Sequence, residues 1–215
     1  MINEQGEPQG NLRITCSTAM GENFIAPILR RFAIRHPRLT ISIDLTNRLV
    51  DLVGEGYDLA IRTGELADSR LIGTRVASRQ FLTCAAPDYL DQAGPLADLE
   101  DLDAHEAIIG TSSTWSFIHL GGKILYRPQG RFRCNSGHAV VDACLAGMGV
   151  CQLPEFYIVP FIRSGRLRLV LDDFRPQTEP IWAVYPQRRH LLPKISRAIE
   201  HIRMELTAGM AIDPL

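Results

Sequence analysis

The sequence predicts an α/β protein made of two Rossmann-like subdomains joined by two crossover strands. Three observations carry that reading. Residues 12–16 (LRITC) form a strand, residues 17–21 (STAMG) a small polar loop, and residues 24–34 an amphipathic helix. The same order returns far along the chain. Residues 131–134 (RFRC) alternate like a strand, Asn135-Ser136 supplies N-cap residues, and Val140, Ala143, Cys144 and Ala146 form a helical apolar face. Gly147 and Gly149 end that helix, and residues 150–153 (VCQL) read as the next strand, closed by Pro154. Finally, residues 180–186 (PIWAVYP) form a strand that leads the chain back to the first subdomain.

The elements follow in order. Residues 1–10 (MINEQGEPQG) are polar and read as a linker remnant without a hydrophobic signal core. A strand at 11–16 leads to a helix from about 22 to 35, with Pro27 tolerated in its first turn and His36-Pro37 stopping it. Residues 40–45 alternate as a half-buried strand. Asn47 then caps a short helix over 48–54, with Leu49, Leu52 and Val53 inward. Residues 57–62 form a strand ending at Thr63-Gly64. This β-α-β-α-β order places Ser17-Thr18, Thr46-Asn47 and Thr63-Gly64 at strand carboxyl ends, where open α/β sheets bind ligands.

Strands at 71–76 and 79–85 precede a short helix from Pro87 and a loop over 93–105. A strand at 107–110 is followed by the polar run Thr111-Ser112-Ser113-Thr114. Residues 115–120 and 123–126 form a hairpin around Gly121-Gly122. After the central unit come a helix at 156–163, ended by Gly165, and a strand at 167–171. The final helix, 192–206, turns Ile195, Ala198, Ile199, Ile202 and Leu206 inward. Subdomain I thus takes residues 11–83 and 182–207, and subdomain II residues 84–181. Two crossings make a hinge suited to closure around a ligand.

Composition removes several function classes. The 215 residues are 46% hydrophobic with a formal net charge of −1, so the chain lacks the positive balance that duplex DNA binding demands. The clusters Arg30, Arg31, Arg35, Arg38 and Arg188, Arg189, His190, Lys194, Arg197 read as solvated faces. No apolar run approaches the roughly 18–20 residues of a membrane span, and a soluble, cytoplasmic protein is expected. The 5 cysteines lack CxxC spacing and the 6 histidines lack metal-ligand spacing. Buried free thiols, no metal and no cofactor are therefore expected. There is no GxSxG elbow, P-loop or GxGxxG. Asp51, Glu55 and Asp58 read as a solvated helix end, so no catalytic residue is assigned and an enzyme is not expected.

Taken together, GNLRIT (10–15), RHP (35–37), RLVDLVGEGYDLAIRTGELADSRL (48–71), CAAPDYL (84–90), LAGMGVCQLPEF (145–156), SGRLRLVL (164–171) and WAVYPQRRHLLPK (182–194) carry a resemblance in their order and spacing. The chain resembles the effector-binding domain of LysR-type transcriptional regulators over residues 10–206. The resemblance implies a type 2 periplasmic-binding-protein-like fold and a cytoplasmic homodimer, tetrameric in the full-length protein. It also implies a winged helix-turn-helix, absent from this sequence, as the only DNA-binding part, and no membrane partner. The implied ligand is a small effector, an organic acid, between the subdomains. Its expected contacts are Ser17, Thr18, Thr46, Thr63, Gly64, Thr111, Ser112, Asn135 and Ser136, aided by two helix N-termini that favour an anion. Pro154 and Glu155 line the far wall. His138 departs from the expected rim and either tunes ligand choice or faces solvent. The alternative is a stand-alone solute-binding protein of the same fold.

Overall fold

The computed structural model describes residues 6–64, 66, 71–187 and 192–210. The first strand, β1 (Gly10–Cys16), turns Leu12, Ile14 and Cys16 into the core. The helix after it starts at once, as α1 (Thr18–Met20), a wider π-helical turn (Gly21–Ile25) and α2 (Ala26–Arg35). It begins four residues earlier than the sequence suggested. Gly21 looks like a loop residue, yet its N–H bonds the Ser17 carbonyl at 2.8 Å. A side chain there would overlap Leu45, so glycine serves close approach here rather than chain flexibility.

Strand β2 (Leu39–Leu45) runs parallel to β1 along its whole length. The helix expected over 48–54 is instead a set of turns. Asp51 Oδ1 accepts the N–H groups of Val53 (3.1 Å) and Gly54 (3.2 Å), giving the backbone a local alternative to helix. Val50, Leu52 and Tyr57 turn inward, while Leu49 is 91% exposed and Val53 also faces solvent. Then follow β3 (Leu59–Thr63) and β4 (Leu71–Arg79).

The chain continues through β5 (Phe81–Ala85), α3 (Pro87–Ala93), a 3-10 turn (Leu99–Ala104), β6 (Ile108–Ile109), and the hairpin β7 (Trp115–His119) and β8 (Gly122–Tyr126). Next come β9 (Phe132–Arg133), α4 (Gly137–Leu145), β10 (Val150–Pro154), α5 (Glu155–Arg163) and β11 (Arg168–Leu169). The last elements are β12 (Glu179–Pro186) and α6 (Pro193–Gly209). Two compact units result. Among the described residues, unit 1 holds those up to Ser78 and those from Glu179 to 210, and unit 2 those within Arg79–Thr178. The expected linker's first five residues, and Arg188, Arg189 and His190, lie outside the described residues.

Unit 1 is a five-stranded sheet in the order β2-β1-β3-β12-β4, with β12 antiparallel to β3. Helix α6 packs on α2 and buries Ile195, Ala198, Ile199, Ile202 and Leu206, the face the sequence marked. One tie at its start overturns two readings of solvated charge. Asp58 is only 3% exposed. Its Oδ2 accepts the Arg13 N–H at 2.9 Å and Lys194 Nζ at 3.1 Å. Lys194 also donates to the Asn11 carbonyl. A cation in a helix's first turn opposes the macrodipole, and the buried carboxylate offsets that. The pair fastens α6 to the sheet.

Unit 2 has a three-stranded sheet, β10-β5-β11, and a parallel pair, β6-β9. A parallel bridge from Ala107 to Val150 joins them, so the strands run β9-β6-β10-β5-β11. Gln152 links the hairpin to this sheet: its Nε2 donates to Thr83 Oγ1 (3.2 Å) and the Ser116 carbonyl (3.1 Å), and its Oε1 accepts the Ser116 N–H (3.1 Å). The hairpin turn is Leu120-Gly121, one residue earlier than expected, closed by the His119–Gly122 pair. Both turn residues have positive φ, 50° and 77°.

Two predictions follow from these ties. Replacing Asp58 with Ala leaves Lys194 without its carboxylate, with only the Asn11 carbonyl of its two named partners, and the Arg13 N–H without its Asp58 acceptor, and should lower unfolding stability by about 2–4 kcal/mol; urea melts of Asp58→Ala would give a loss under about 1 kcal/mol if the pair were merely a surface contact. Leu120 sits in a left-handed conformation that disfavours leucine and suits asparagine. Leu120→Asn should therefore raise stability by about 0.5–1 kcal/mol, read as an upward shift in the unit 2 melting transition.

Candidate functional site

In unit 1, β1 pairs in parallel with β2 on one side and β3 on the other. Parallel strands end on the same rim, and the register sets who meets there. Cys16 pairs with Leu45 and with Ile61, so Ser17 and Thr46 follow adjacent strand ends, and Thr63 lies two residues beyond Ile61. The order β2-β1-β3 also means that the crossover from β1 to β2 runs one way and that from β2 to β3 runs back past β1. That makes a switch point between β1 and β3, the place where such sheets form ligand crevices.

The rim is held by its own hydrogen bonds. Ser17 is the N-cap residue of α1. The Thr46 N–H bonds the Cys16 carbonyl at 2.9 Å, and Thr46 Oγ1 accepts the Arg48 N–H at 3.3 Å. The Thr18 N–H donates to Asn47 Oδ1 at 3.2 Å. Asn47 thus caps the first helix across the rim, not a helix of its own. Gly64, at φ 84°, donates to the Pro180 carbonyl (3.2 Å), and its own carbonyl accepts Trp182 Nε1 (2.8 Å).

Unit 2 repeats the arrangement. Strand β6 lies between β9 and β10, all parallel, and again the connection from β6 to β9 runs one way and that from β9 to β10 runs back past β6. Thr111 follows β6 and Asn135 follows β9. The structure brings these two together: Thr111 Oγ1 donates to the Asn135 carbonyl at 3.3 Å. Ser112 Oγ donates to the Thr114 carbonyl at 2.6 Å and is turned into its own loop. Ser136 caps α4, its Oγ accepting the Ala139 N–H at 3.5 Å. Pro154 is buried at the end of β10, and Glu155 opens α5 with its Oε1 accepting the Gln80 N–H at 3.4 Å. Burial pushes the Glu155 carboxyl up, against the opposing pull of that N–H and of Arg175. His138 is exposed and sets its ring edge-on to Tyr157, 5.0 Å between centroids. A groove of about 570 Å³ elsewhere on unit 2, between residues 90–97 and 168–174, contains none of these side chains.

Residues 5–207 match the LysR substrate binding domain family. The chain belongs to that family. An uncharacterized HTH-type transcriptional regulator of Haemophilus influenzae is 33% identical over 192 residues, 87% of this chain and 67% of that protein. HTH-type transcriptional regulator DmlR of Escherichia coli is 32% identical over 201 residues, 91% of this chain and 65% of that protein. The chain therefore spans about two thirds of the curated relatives' length. The CrgA regulatory domain of Neisseria meningitidis, a LysR-type regulator, superposes with a TM-score of 0.78 at 27% identity, covering 93% of this chain and 100% of that one. Full-length AphB of Vibrio cholerae gives 0.80 at 24% identity, over 92% of this chain and 69% of its own. The LysR-family fold is the type 2 periplasmic-binding-protein-like one. These relatives are transcriptional regulators rather than enzymes or free solute-binding proteins. Among the described residues no helix is long and apolar enough to cross a membrane.

Sequence reasoning missed two features. Arg62, next to Thr63 on β3, has its Nη2 buried with no hydrogen-bond partner among the described residues. Burial pulls its pKa down. Its position near the end of a short strand gave no sign of this. The second feature is in unit 2, where Cys84, Cys144 and Cys151 converge with their sulfurs all within 4.8 Å of one another. Only the register of β5 against β10, which pairs Cys84 with Cys151, makes that visible.

The unit 2 rim depends on Gly137. A Cβ at this first residue of α4 would overlap the Tyr157 ring, nearest its Cζ. Gly137→Ala should therefore cost about 1–3 kcal/mol of stability through overpacking, and Gly137→Ala with Tyr157→Leu should recover most of it; equal melting midpoints for Gly137→Ala and the parent would refute the close packing.

Proposed function

We propose that this chain is the ligand-sensing domain of a LysR-type transcription factor, and that it binds a small anionic effector through the polar rims of both units. Family membership over residues 5–207 carries the reading. The effector's contacts would be Ser17, Thr18, Thr46, Thr63 and Gly64 from unit 1, and Thr111, Ser112, Asn135, Ser136, Pro154 and Glu155 from unit 2. An organic acid suits this set. Neutral hydroxyl and amide donors fix orientation, and the N-termini after β1 and β9 favour negative charge. Arg62 supports the sign of the ligand, since a buried guanidinium nitrogen with no acceptor among the described residues would be stabilised by an incoming carboxylate.

In the whole regulator, in the cytoplasm, the effector would act by binding one arrangement of the domain more tightly than another. Oligomerisation as a homodimer, tetrameric at full length, would pass that preference to a DNA-binding helix-turn-helix like those the relatives' names record. TtdR of Escherichia coli is named an activator, which makes activation the first response to assay.

A thermal-shift screen of organic acids, followed by calorimetry on the hits, tests the proposal. Arg62→Gln should weaken the best hit about 10- to 100-fold, the worth of one charged hydrogen bond. Thr63→Ala and Thr111→Ala should each weaken it less. An unchanged affinity in Thr111→Ala and Asn135→Ala together would remove unit 2 from the site. A hit that binds Arg62→Gln as tightly as the parent would remove the guanidinium.

A further inference from the structure

We propose that Cys84, Cys144 and Cys151 form a three-sulfur binding site for a trivalent thiophilic centre of the arsenic(III) type. The three thiols come from separate elements: β5, α4 and β10. All are buried and free of disulfides. Cys84 Sγ and Cys151 Sγ are 3.6 Å apart, and all three sulfurs lie within 4.8 Å of one another. A pyramidal centre with bonds of roughly 2.3 Å, a length typical of thiolate coordination, and angles near 100° holds its sulfurs about 3.5 Å apart. The cluster reaches that spacing with small side-chain shifts.

Number and charge select the occupant. Among the described residues the group has three candidate ligand side chains and no His, Asp or Glu joins it. Zinc in a closed site takes four ligands, so it is under-supplied here. Around Cys144 Sγ stand the carbonyl oxygens of Cys84 (3.5 Å) and Gly149 (3.6 Å), which add negative potential. Three thiolates around a monovalent or divalent ion would leave net negative charge in this interior, a costly arrangement. Three thiolates on a trivalent centre are neutral. The reaction balances without an oxidant: arsenous acid, As(OH)₃, exchanges three As–O bonds for three As–S bonds, and each thiol proton leaves with one hydroxide as water. Reagent and product are both uncharged, which suits entry by local opening of the unit. Binding should accordingly be slow.

The experiment uses arsenite on the intact, reduced chain. Mass spectrometry should show one arsenic bound with loss of three thiol protons. The thiols open to alkylation in denaturant should fall from 5 to 2, 5 being the total and 3 the cluster. Peptide mapping should place the two reactive thiols at Cys16 and Cys134. X-ray absorption should show arsenic with three sulfur neighbours. Cys134→Ala should bind as the parent does, while Cys84→Ala, Cys144→Ala and Cys151→Ala should each lose the three-sulfur signal. Should one of those variants fold poorly, the mapping on the parent chain decides alone. No arsenic adduct, a two-sulfur adduct, or protection of Cys16 or Cys134 in place of the cluster would overturn the proposal.

Discussion

Parallel pairing is the constraint from which the rest of this molecule follows. A parallel neighbour is reached only by a crossover, so each strand of the group enters at one edge and leaves at the opposite one. In unit 1 the full-length pairing of β1 with β2 and the shorter pairing with β3 fix where Ser17, Thr46 and Thr63 emerge. In unit 2, β9, β6 and β10 do the same for Asn135, Thr111 and Pro154. The rim residues differ in both units, yet strand order and direction agree. Polar side chains gather at these ends because apolar strand interiors leave few other places for unpaired backbone donors near solvent.

Strands and amphipathic helices were legible because burial imprints a period on them. The inward face of α6 and the alternation in β2 could be read residue by residue. What failed to show was long-range. Asp58 and Lys194 look like ordinary surface charges, and only the fold, which puts them 3.1 Å apart beside β1, turns them into a buried tie. The turns over 48–54 deceived for a local reason: their leucines and valines carry helical spacing, but the Asp51 side chain takes the N–H groups a helix would use. Gly21 misled in the opposite direction, since its role is to admit Leu45. For the candidate site, the hydroxyl-bearing strand ends were visible as loop composition, whereas the Asn47 contact to Thr18 and the buried nitrogen of Arg62 depend on pairings across more than one element.

Two basic side chains of unit 1 show how the same fold separates structure from readiness to bind. Lys194 and Arg62 both leave water in part, at a cost that needs repayment. Lys194 receives a carboxylate and a carbonyl from its own chain. Arg62 has one terminal nitrogen without an acceptor among the described residues, and burial lowers its pKa. A protein selected only for stability would have placed a carboxylate there, or an apolar residue of similar volume. On the proposed reading, a guanidinium one residue before the strand end trades stability for attraction to an anionic effector at the rim.

The cysteine cluster poses the same question in apolar surroundings. Thiols are among the cheapest groups to bury, so three of them in a core need no explanation from energetics alone. Their convergence does, because β5, α4 and β10 could each have been filled by Ala or Val without leaving a polar atom unpaired. Hydrogen bonds from Cys151 and Cys84 draw the Cys144 thiol down, while the other two thiols are pushed up. The three sulfurs lie close enough for their titrations to be linked. A group of three soft donors that becomes neutral only around a trivalent centre discriminates by charge balance rather than by size. This is a different principle of selection from the one proposed for the rim, where helix ends and a half-buried arginine would favour charge. The two would let one regulator domain respond to chemically unrelated ligands without either site compromising the other.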